Sequence, residues 1–114
     1  MNKIKTVTIG IPAFNEEANI KKLLHAVLRQ KEEGFVIRQI IVVSDGSSDN
    51  TVHEAQHVID ERLIIIRDPN RLGKSARLNQ IFRMFSTDLL ILMDADITIK
   101  DTHLLVKLIQ KSNF

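Results

Sequence analysis

Residues 89–96 read Leu-Leu-Ile-Leu-Met-Asp-Ala-Asp, five large apolar side chains followed by two carboxylates around an alanine. The aliphatic run is typical of a strand that is buried on both faces of a parallel sheet. In an extended chain residues i and i+2 point to the same side, so we expect Asp94 and Asp96 to lie together. Like charges that close are costly unless a hard divalent cation such as Mg²⁺ or Mn²⁺ compensates them. A purely structural turn is the alternative.

Three further aliphatic runs, at residues 7–11, 40–43 and 63–66, predict strands of the same buried kind. Between the strands, apolar residues recur at helical spacing. The predicted stripes are Ile20, Leu23, Leu24, Val27 and Leu28; Val52, Ala55 and Ile59; Leu78, Ile81, Phe82 and Phe85; and Leu104, Leu105, Leu108 and Ile109. Alternating strands and helices predict right-handed crossovers, and therefore an α/β fold with three α/β/α layers around a mainly parallel sheet.

The length of 114 residues allows one domain, which we assign to residues 1–114. The net charge of +2 and the scattered basic residues argue against a nucleic-acid partner. The chain has no cysteine, which excludes disulfides and thiol catalysis. Its longest apolar run is far shorter than the ~20 residues that a membrane span needs.

Polar segments follow all four predicted strands, at residues 12–16, 44–49, 67–74 and 94–96. The carboxyl ends of parallel strands meet at one edge, where open α/β sheets bind ligands, so we expect these segments to converge. Taken singly, Asn15 is a candidate helix N-cap, and residues 45–49 are a candidate turn with a capping side chain. Lys74 opposes the dipole of the third helix, which favours an anionic partner.

Together, the four segments resemble the family 2 glycosyltransferases of the GT-A fold. The matching blocks are residues 11–17, 42–51, 70–74 with Asn79, and 92–96, in the order and spacing of that family. The resemblance implies a Rossmann-like nucleotide-diphospho-sugar transferase fold in truncated form. Residues 1–114 would be its nucleotide-sugar-binding half, without the half that binds the acceptor.

The resemblance also implies how the donor would be bound. Pro12, Ala13 and Glu16 would line the nucleoside pocket, Asp45 would hydrogen-bond a pyrimidine base, and Lys74 would lie over the same nucleotide. The donor would be a nucleotide sugar, with UDP favoured over GDP by the habit of the family. The resemblance does not identify the molecule that carries the acceptor hydroxyl.

The implied reaction is a single displacement at the anomeric carbon, with inversion. Asp94 would face the ribose and the metal, and Asp96 would ligate the Mn²⁺ or Mg²⁺ that neutralises the leaving diphosphate. A general base must take the proton of the acceptor. The family places that carboxylate well beyond the metal-binding block, whereas Asp101 is predicted to cap the last helix. We therefore expect the base beyond residue 114, and expect these residues to bind the donor without turnover.

Three further expectations concern self-association, cellular location and an alternative function. An uncovered flank of a truncated sheet predicts self-association or strand exchange. The resemblance implies a cytoplasmic location, with a parent protein that could associate with the cytoplasmic face of a membrane, as relatives that make surface polysaccharides do. The alternative function is a nucleotide-binding or interaction module that has kept the fold and lost the chemistry.

Three rival motifs are weaker. His53 to His57 spell H-E-x-x-H, the zinc protease signature, but the two histidines lie opposite the apolar stripe and should face solvent. Residues 73–75 imitate the end of a P-loop, yet Asp68 stands where its first glycine belongs. Residues 94–98 fit the D-x-D-x-T pattern of haloacid-dehalogenase-like phosphatases, where that pattern ends the first strand and not the fourth.

Overall fold

The computed structural model describes residues 3–112, so the outer two positions at each end of the predicted domain lie outside the described residues. Four strands and four helices alternate: β1 (Lys5–Ala13), α1 (Ile20–Leu28), β2 (Phe35–Asp45), α2 (Thr51–Gln56), β3 (Leu63–Asp68), α3 (Lys74–Met84), β4 (Leu89–Leu92) and α4 (Leu104–Gln110). The predicted succession is confirmed. Within residues 3–112, no helix has the length and apolarity to cross a bilayer.

All strand pairs are parallel, and the order across the sheet is β3-β2-β1-β4. The chain first advances from β1 to β3 on one side, then returns to place β4 on the other side of β1. The strand order therefore reverses beside β1. Crevices outside the carboxyl ends of strands at such a reversal are the usual ligand sites of open α/β sheets.

The three layers are confirmed by two apolar clusters on opposite faces of the sheet. The larger cluster joins one face to α1, α2 and α4 through residues such as Leu24, Ala55 and Leu105. The smaller cluster comprises Ile41, Val43 and Ile81 and joins the other face to α3. Gly10 permits this second contact, because a Cβ there would lie 2.8 Å from Cγ2 of Ile81.

Two predictions about burial are wrong at the margins of the fold. β3 and β4 are edge strands and are not buried on both faces, as the exposure of Ile64 (37%) and Leu92 (40%) shows. Ile59 is 89% exposed, because α2 ends at Gln56 before the predicted stripe is complete. Val58 is buried near that end instead.

The buried face of α3 also differs from the predicted one. Its buried residues are Arg77 and Ile81, while Leu78 is only half-buried and Phe82 is 55% exposed. The predicted apolar stripe of α3 was misplaced because a charged residue such as Arg77 was expected at the surface. This rotation of the helix brings the guanidinium under the carboxyl edge of the sheet.

Candidate functional site

A cavity of about 370 Å³ opens at the carboxyl edge of the sheet, beside the reversal in strand order. The predicted site residues all line it, and they are Pro12, Ala13, Glu16, Asp45, Lys74, Asp94 and Asp96. They come from the ends of β1, β2 and β4 and from the start of α3. The expected convergence of the polar segments is thus confirmed, with Asp45 and Asp96 on the walls of one cavity.

The two carboxylates after β4 reach the cavity by a turn and not by the extended chain predicted for them. Pairing with β1 stops at Leu92, Met93 N donates to Gly10 O (2.9 Å), and Ile97 N donates to Asp94 O (3.3 Å). Ala95 between the carboxylates is buried, whereas Asp94 and Asp96 are exposed. The turn is anchored by this alanine and presents both carboxylates to the cavity.

Lys74, the first residue of α3, places its Nζ 2.5 Å from Oδ1 of Asp94. Both side chains are more than half exposed, so the pair contributes only about 0–1 kcal/mol to the stability of the fold. Asp96 has no hydrogen bond or ion pair of its side chain with residues 3–112. One carboxylate is therefore open to a ligand, and the other is held by a contact that is easily exchanged.

The donor set fits Mg²⁺ or Mn²⁺, although it is sparse. Among the described residues there is no cluster of three or more histidine, aspartate or glutamate side chains that could hold a metal alone. Asp94 and Asp96 would supply carboxylate oxygens, and water or ligand phosphates would complete the shell. Mg²⁺ is commonly held in this way, by one or two carboxylates together with substrate phosphates.

Asp45 ends β2 and is buried in the wall of the cavity. Its Oδ1 accepts hydrogen bonds from Leu72 N (2.7 Å) and Arg77 Nε (2.8 Å), and its Oδ2 accepts one from Gly73 N (3.0 Å). Burial alone would raise the pKa of this carboxyl, but the three hydrogen bonds lower the pKa overall. Asp45 is therefore ionised at neutral pH.

Arg77 is a site residue that the sequence reasoning missed. Its side chain is only 2% exposed and contacts Asp45, Oδ2 of Asp68 (2.8 Å) and the carbonyl oxygen of Asn70 (2.5 Å). Burial alone would lower the pKa of the guanidinium, whereas the hydrogen bonds with Asp68 and Asp45 raise it overall. The available signal was its spacing of four residues from Ile81, which places both on one helical face.

Arg71 and Phe14 form a second feature of the cavity that was not predicted. The guanidinium carbon of Arg71 lies 3.8 Å from the centroid of the Phe14 ring. A cation over an aromatic face is attractive by about 0.5–1 kcal/mol at an exposed site. Both residues line the cavity, so the pair forms a flat, positively charged part of its wall.

Asn15 joins two loops at the rim, and its interpretation as an N-cap is wrong, since Asn19 holds that position of α1. Its Oδ1 accepts a hydrogen bond from Ser48 N (2.9 Å), and its own N donates to Ser47 Oγ (3.1 Å). The backbone of Asn15 has a φ of 51°, in the left-handed region that asparagine tolerates. The side chain thus ties the loop after β1 to the loop after β2.

The predictions that Asp101 caps α4 and that a residue of 45–49 caps α2 are wrong, since His103 and Asn50 hold those N-cap positions. Asp49 Oδ1 accepts a hydrogen bond from Thr51 N (2.9 Å), the first residue of α2. Asp101 Oδ1 accepts one from His103 N (2.9 Å), just before α4, while its Oδ2 binds Lys107 Nζ (2.6 Å). Both carboxylates therefore satisfy backbone or side-chain donors at these termini.

The histidine pair of the rival protease motif lies outside the cavity. His53 and His57 are exposed, with ring centroids 4.5 Å apart, and His57 Nδ1 lies 3.3 Å from Glu54 Oε2. The described residues supply no third ligand to complete a zinc site there. The expectation that these histidines face solvent is confirmed.

Comparison with known protein sequences gives a consistent assignment. Residues 8–113 match the sequence profile described as Glycosyl transferase family 2. A curated relative, undecaprenyl-phosphate 4-deoxy-4-formamido-L-arabinose transferase of Proteus mirabilis, is 32% identical over 83% of this chain. The chain spans only 30% of the length of that relative.

Solved structures share the fold at lower identity. A mannosyltransferase of Pyrobaculum calidifontis, in complex with GDP-Man and Mn²⁺, matches with a TM-score of 0.81 and 23% identity, covering 95% of this chain and 32% of that one. Glucosyl-3-phosphoglycerate synthase of Mycobacterium tuberculosis, in complex with Mn²⁺, uridine diphosphate and phosphoglyceric acid, matches with a TM-score of 0.75 and 22% identity, covering 93% and 38%. Both likenesses concern the fold.

Proposed function

The chain belongs to glycosyl transferase family 2, and from that premise we propose that its cavity binds a nucleotide sugar together with Mn²⁺ or Mg²⁺. The whole protein would transfer the sugar to an acceptor hydroxyl. The observation that carries this proposal is that three strand ends and the start of α3 bring all seven predicted residues to one cavity.

The side chains present suit the two ends of such a donor. Asp94 and Asp96 would hold the cation, and Lys74 would turn from Asp94 to the diphosphate, which carries the opposite charge. The nucleoside would lie against Pro12 and Ala13, with Glu16 nearby. The bound cation would neutralise the charge that grows on the leaving diphosphate.

We favour a uridine over a guanosine nucleotide, and the number of hydrogen bonds that Asp45 already accepts supports this choice. Oδ1 of Asp45 already accepts two hydrogen bonds and Oδ2 accepts one, which leaves room for one further donor. A uracil ring offers one N–H, whereas guanine offers adjacent ring and amino N–H groups that are best matched by both oxygens. The relatives themselves include complexes with GDP-Man and with uridine diphosphate.

We further propose an inverting displacement in the whole protein and donor binding without turnover in these 114 residues. Asp101 is the one carboxylate that follows Asp96 in the sequence, and both of its oxygens are engaged at the start of α4. The carboxylates that line the cavity are Glu16, Asp45, Asp94 and Asp96, which are assigned to the donor and the cation. None is left for the proton of the acceptor.

Self-association through the flank beside β4 is part of the same proposal. β4 is an edge strand, and Leu92 and Leu108 near this edge are 40% and 45% exposed. Unprotected apolar edges of this kind favour pairing with another chain. The alternative remains a nucleotide-binding or interaction module that has kept the fold and lost the chemistry.

Isothermal titration calorimetry with UDP and Mn²⁺ tests the proposal. The Asp96→Asn variant should lose at least about ten-fold in affinity, because it removes the carboxylate that is open to the cation. Asp101→Asn is the matched control, since it makes the same change of charge outside the cavity, and it should bind as the unaltered chain does. Undiminished affinity in Asp96→Asn would refute the metal assignment. Absence of UDP binding to the unaltered chain would favour the interaction module.

A further inference from the structure

We infer that Arg77 is a positioning residue of the donor cavity, which fixes residues 70–73 from beneath the cavity wall and so directs Arg71 and Lys74. The inference rests on the proposed function for the identity of the ligand. The part of the inference that concerns how residues 70–73 are fixed depends only on contacts within the chain.

The placement of Arg77 requires an explanation. It is the largest of the fully buried side chains, one turn into α3 and four residues before Ile81. A charged group withdrawn from water destabilises a fold by several kcal/mol per ion unless it is well paired and hydrogen-bonded. Arg77 meets that condition, because each of its three nitrogens has a partner.

Those partners belong to three different segments of the chain. Nε donates to Asp45 at the end of β2, Nη1 donates to Asp68 at the end of β3, and Nη2 donates to the carbonyl of Asn70 in the loop that follows. A guanidinium presents its donors in a rigid planar fork, whereas lysine has a single ammonium on a flexible stem. Arg77 therefore fixes the ends of two neighbouring strands and the loop relative to one another.

Asp45 fixes the same loop further along the chain by accepting hydrogen bonds from its backbone. Its carboxylate accepts from Leu72 N and Gly73 N, while Arg77 holds the carbonyl of Asn70. One buried ion pair thus fixes three backbone groups in total, one before Arg71 and two after it. The residue between them projects its side chain over Phe14 in the cavity.

The loop has little space in which to adopt another path. It lies so close to Gly46 that a Cβ on that residue would be 2.7 Å from the backbone N of Arg71. Asp68 Oδ1 also accepts a hydrogen bond from Asn70 N (2.9 Å). Replacement of Arg77 by an uncharged residue would free the loop from below and leave Asp45 as a buried charge with two backbone donors only.

The first experiment needs no ligand. Amide hydrogen exchange at Leu72 and Gly73 should be at least about ten-fold faster in Arg77→Gln than in the unaltered chain, at a temperature where both are folded. Arg62→Gln is the matched control, because Arg62 holds Asp60 by a similar contact (Nε–Oδ1, 2.9 Å) and lines no part of the cavity. The control should leave exchange at these two amides unchanged.

The second readout is the affinity for UDP with Mn²⁺ at the same temperature. Arg77→Gln should bind at least about ten-fold more weakly, Arg77→Lys should recover part of the loss, and Arg62→Gln should bind normally. Reduced thermal stability of Arg77→Gln with unchanged exchange and unchanged affinity would overturn the inference, since Arg77 would then only stabilise the fold.

Two further outcomes are distinguishable. If the unaltered chain binds no UDP, the proposed function fails, and the exchange rates still decide whether Arg77 holds the loop. If Arg77→Gln does not fold, Arg77→Lys takes its place, because an ammonium on a flexible stem does not reproduce the rigid planar fork that contacts Asp45, Asp68 and the carbonyl of Asn70. Faster exchange at Leu72 and Gly73 in that variant supports the inference, and unchanged exchange contradicts it.

Discussion

Nε of Arg77 lies 2.8 Å from Oδ1 of Asp45, and both side chains are almost completely buried. The ion pair is therefore shielded from water at the wall of a cavity that is otherwise open. Removal of one partner from such a pair costs more than removal of an exposed one, because the remaining charge stays buried. The stability of the fold and the shape of the cavity are coupled at this contact.

The first prediction concerns the stability that this pair provides. Asp45→Asn should lower the free energy of unfolding by about 3 kcal/mol, because it leaves the buried guanidinium of Arg77 without one of its two carboxylates. Asp101→Asn breaks the exposed pair with Lys107 and should cost far less than Asp45→Asn, because water screens that pair. Urea unfolding followed by circular dichroism measures both. Equal losses in the two variants would contradict the account.

The second prediction separates backbone strain from close approach at two glycines. Gly34 and Gly46 both have positive φ, of 81° and 64°, but only Gly46 has atoms where a Cβ would lie. Gly34→Ala should cost about 1 kcal/mol from strain. Gly46→Ala should cost more than Gly34→Ala and should also weaken UDP binding, because it displaces the loop that carries Arg71. A cost for Gly46→Ala no greater than that for Gly34→Ala would be inconsistent with the close approach of that loop.

The third prediction concerns the competition between Lys74 and a cation at Asp94. Lys74→Met should bind Mn²⁺ more tightly than the unaltered chain when no nucleotide is present, by up to about five-fold, because the competing exposed ion pair is lost. With Mn²⁺ present the same variant should bind UDP more weakly. Lys107→Met is the control, since it removes a comparable exposed pair with Asp101. Titration of Mn²⁺ followed by electron paramagnetic resonance measures binding of the ion, and calorimetry measures binding of UDP. Weaker binding of the ion by Lys74→Met would contradict the prediction.

The fourth prediction is a pH dependence at the opposite end of the sheet. Hydrogen bonds from Arg62 lower the pKa of Asp60 from 3.8 to about 2. A carboxyl with a lowered folded-state pKa stabilises the fold above its unfolded pKa, and this contribution is lost as the pH falls from about 4 to about 2. Asp60→Asn should therefore be less stable by about 1–2 kcal/mol at neutral pH, and the gap should close in acid. Unfolding curves from pH 7 to pH 2 measure the gap, and a constant gap would contradict the prediction.

The fifth prediction concerns the apolar flank beside β4. Static light scattering should show an apparent mass that rises with concentration, because this edge strand and its exposed apolar neighbours can pair with a second chain. Leu108→Lys places a charge on α4 next to that edge and should reduce the rise. A monomeric profile over a wide concentration range in the unaltered chain would exclude the proposal.

The layers and the convergence of the site were predictable because their signals are local. Each aliphatic run marks a strand, each polar segment follows one, and a parallel sheet alone brings those segments to a single edge. Asp45 and Asp96 are 51 positions apart in the sequence and still line the same cavity. That relationship needed no knowledge of the strand order.

The role of Arg77 could not be predicted in the same way, because a buried charge is defined by partners that are distant in sequence. Asp45 precedes it by 32 positions, and Asp68 precedes it by nine. A pattern that counts apolar residues therefore preferred Leu78 and Phe82 for the buried face. The turn at residues 94–96 was only an alternative in the sequence prediction, because it depends on where β4 stops pairing with β1.

The position of the cation can be measured by the paramagnetic broadening that Mn²⁺ causes in backbone amide signals when UDP is present. We expect the broadening to be strongest around Asp94 and Asp96, to extend to Lys74 and to the amides next to Pro12, and to disappear in Asp96→Asn. Broadening centred on His53 and His57, with the cavity signals unaffected, would contradict this expectation.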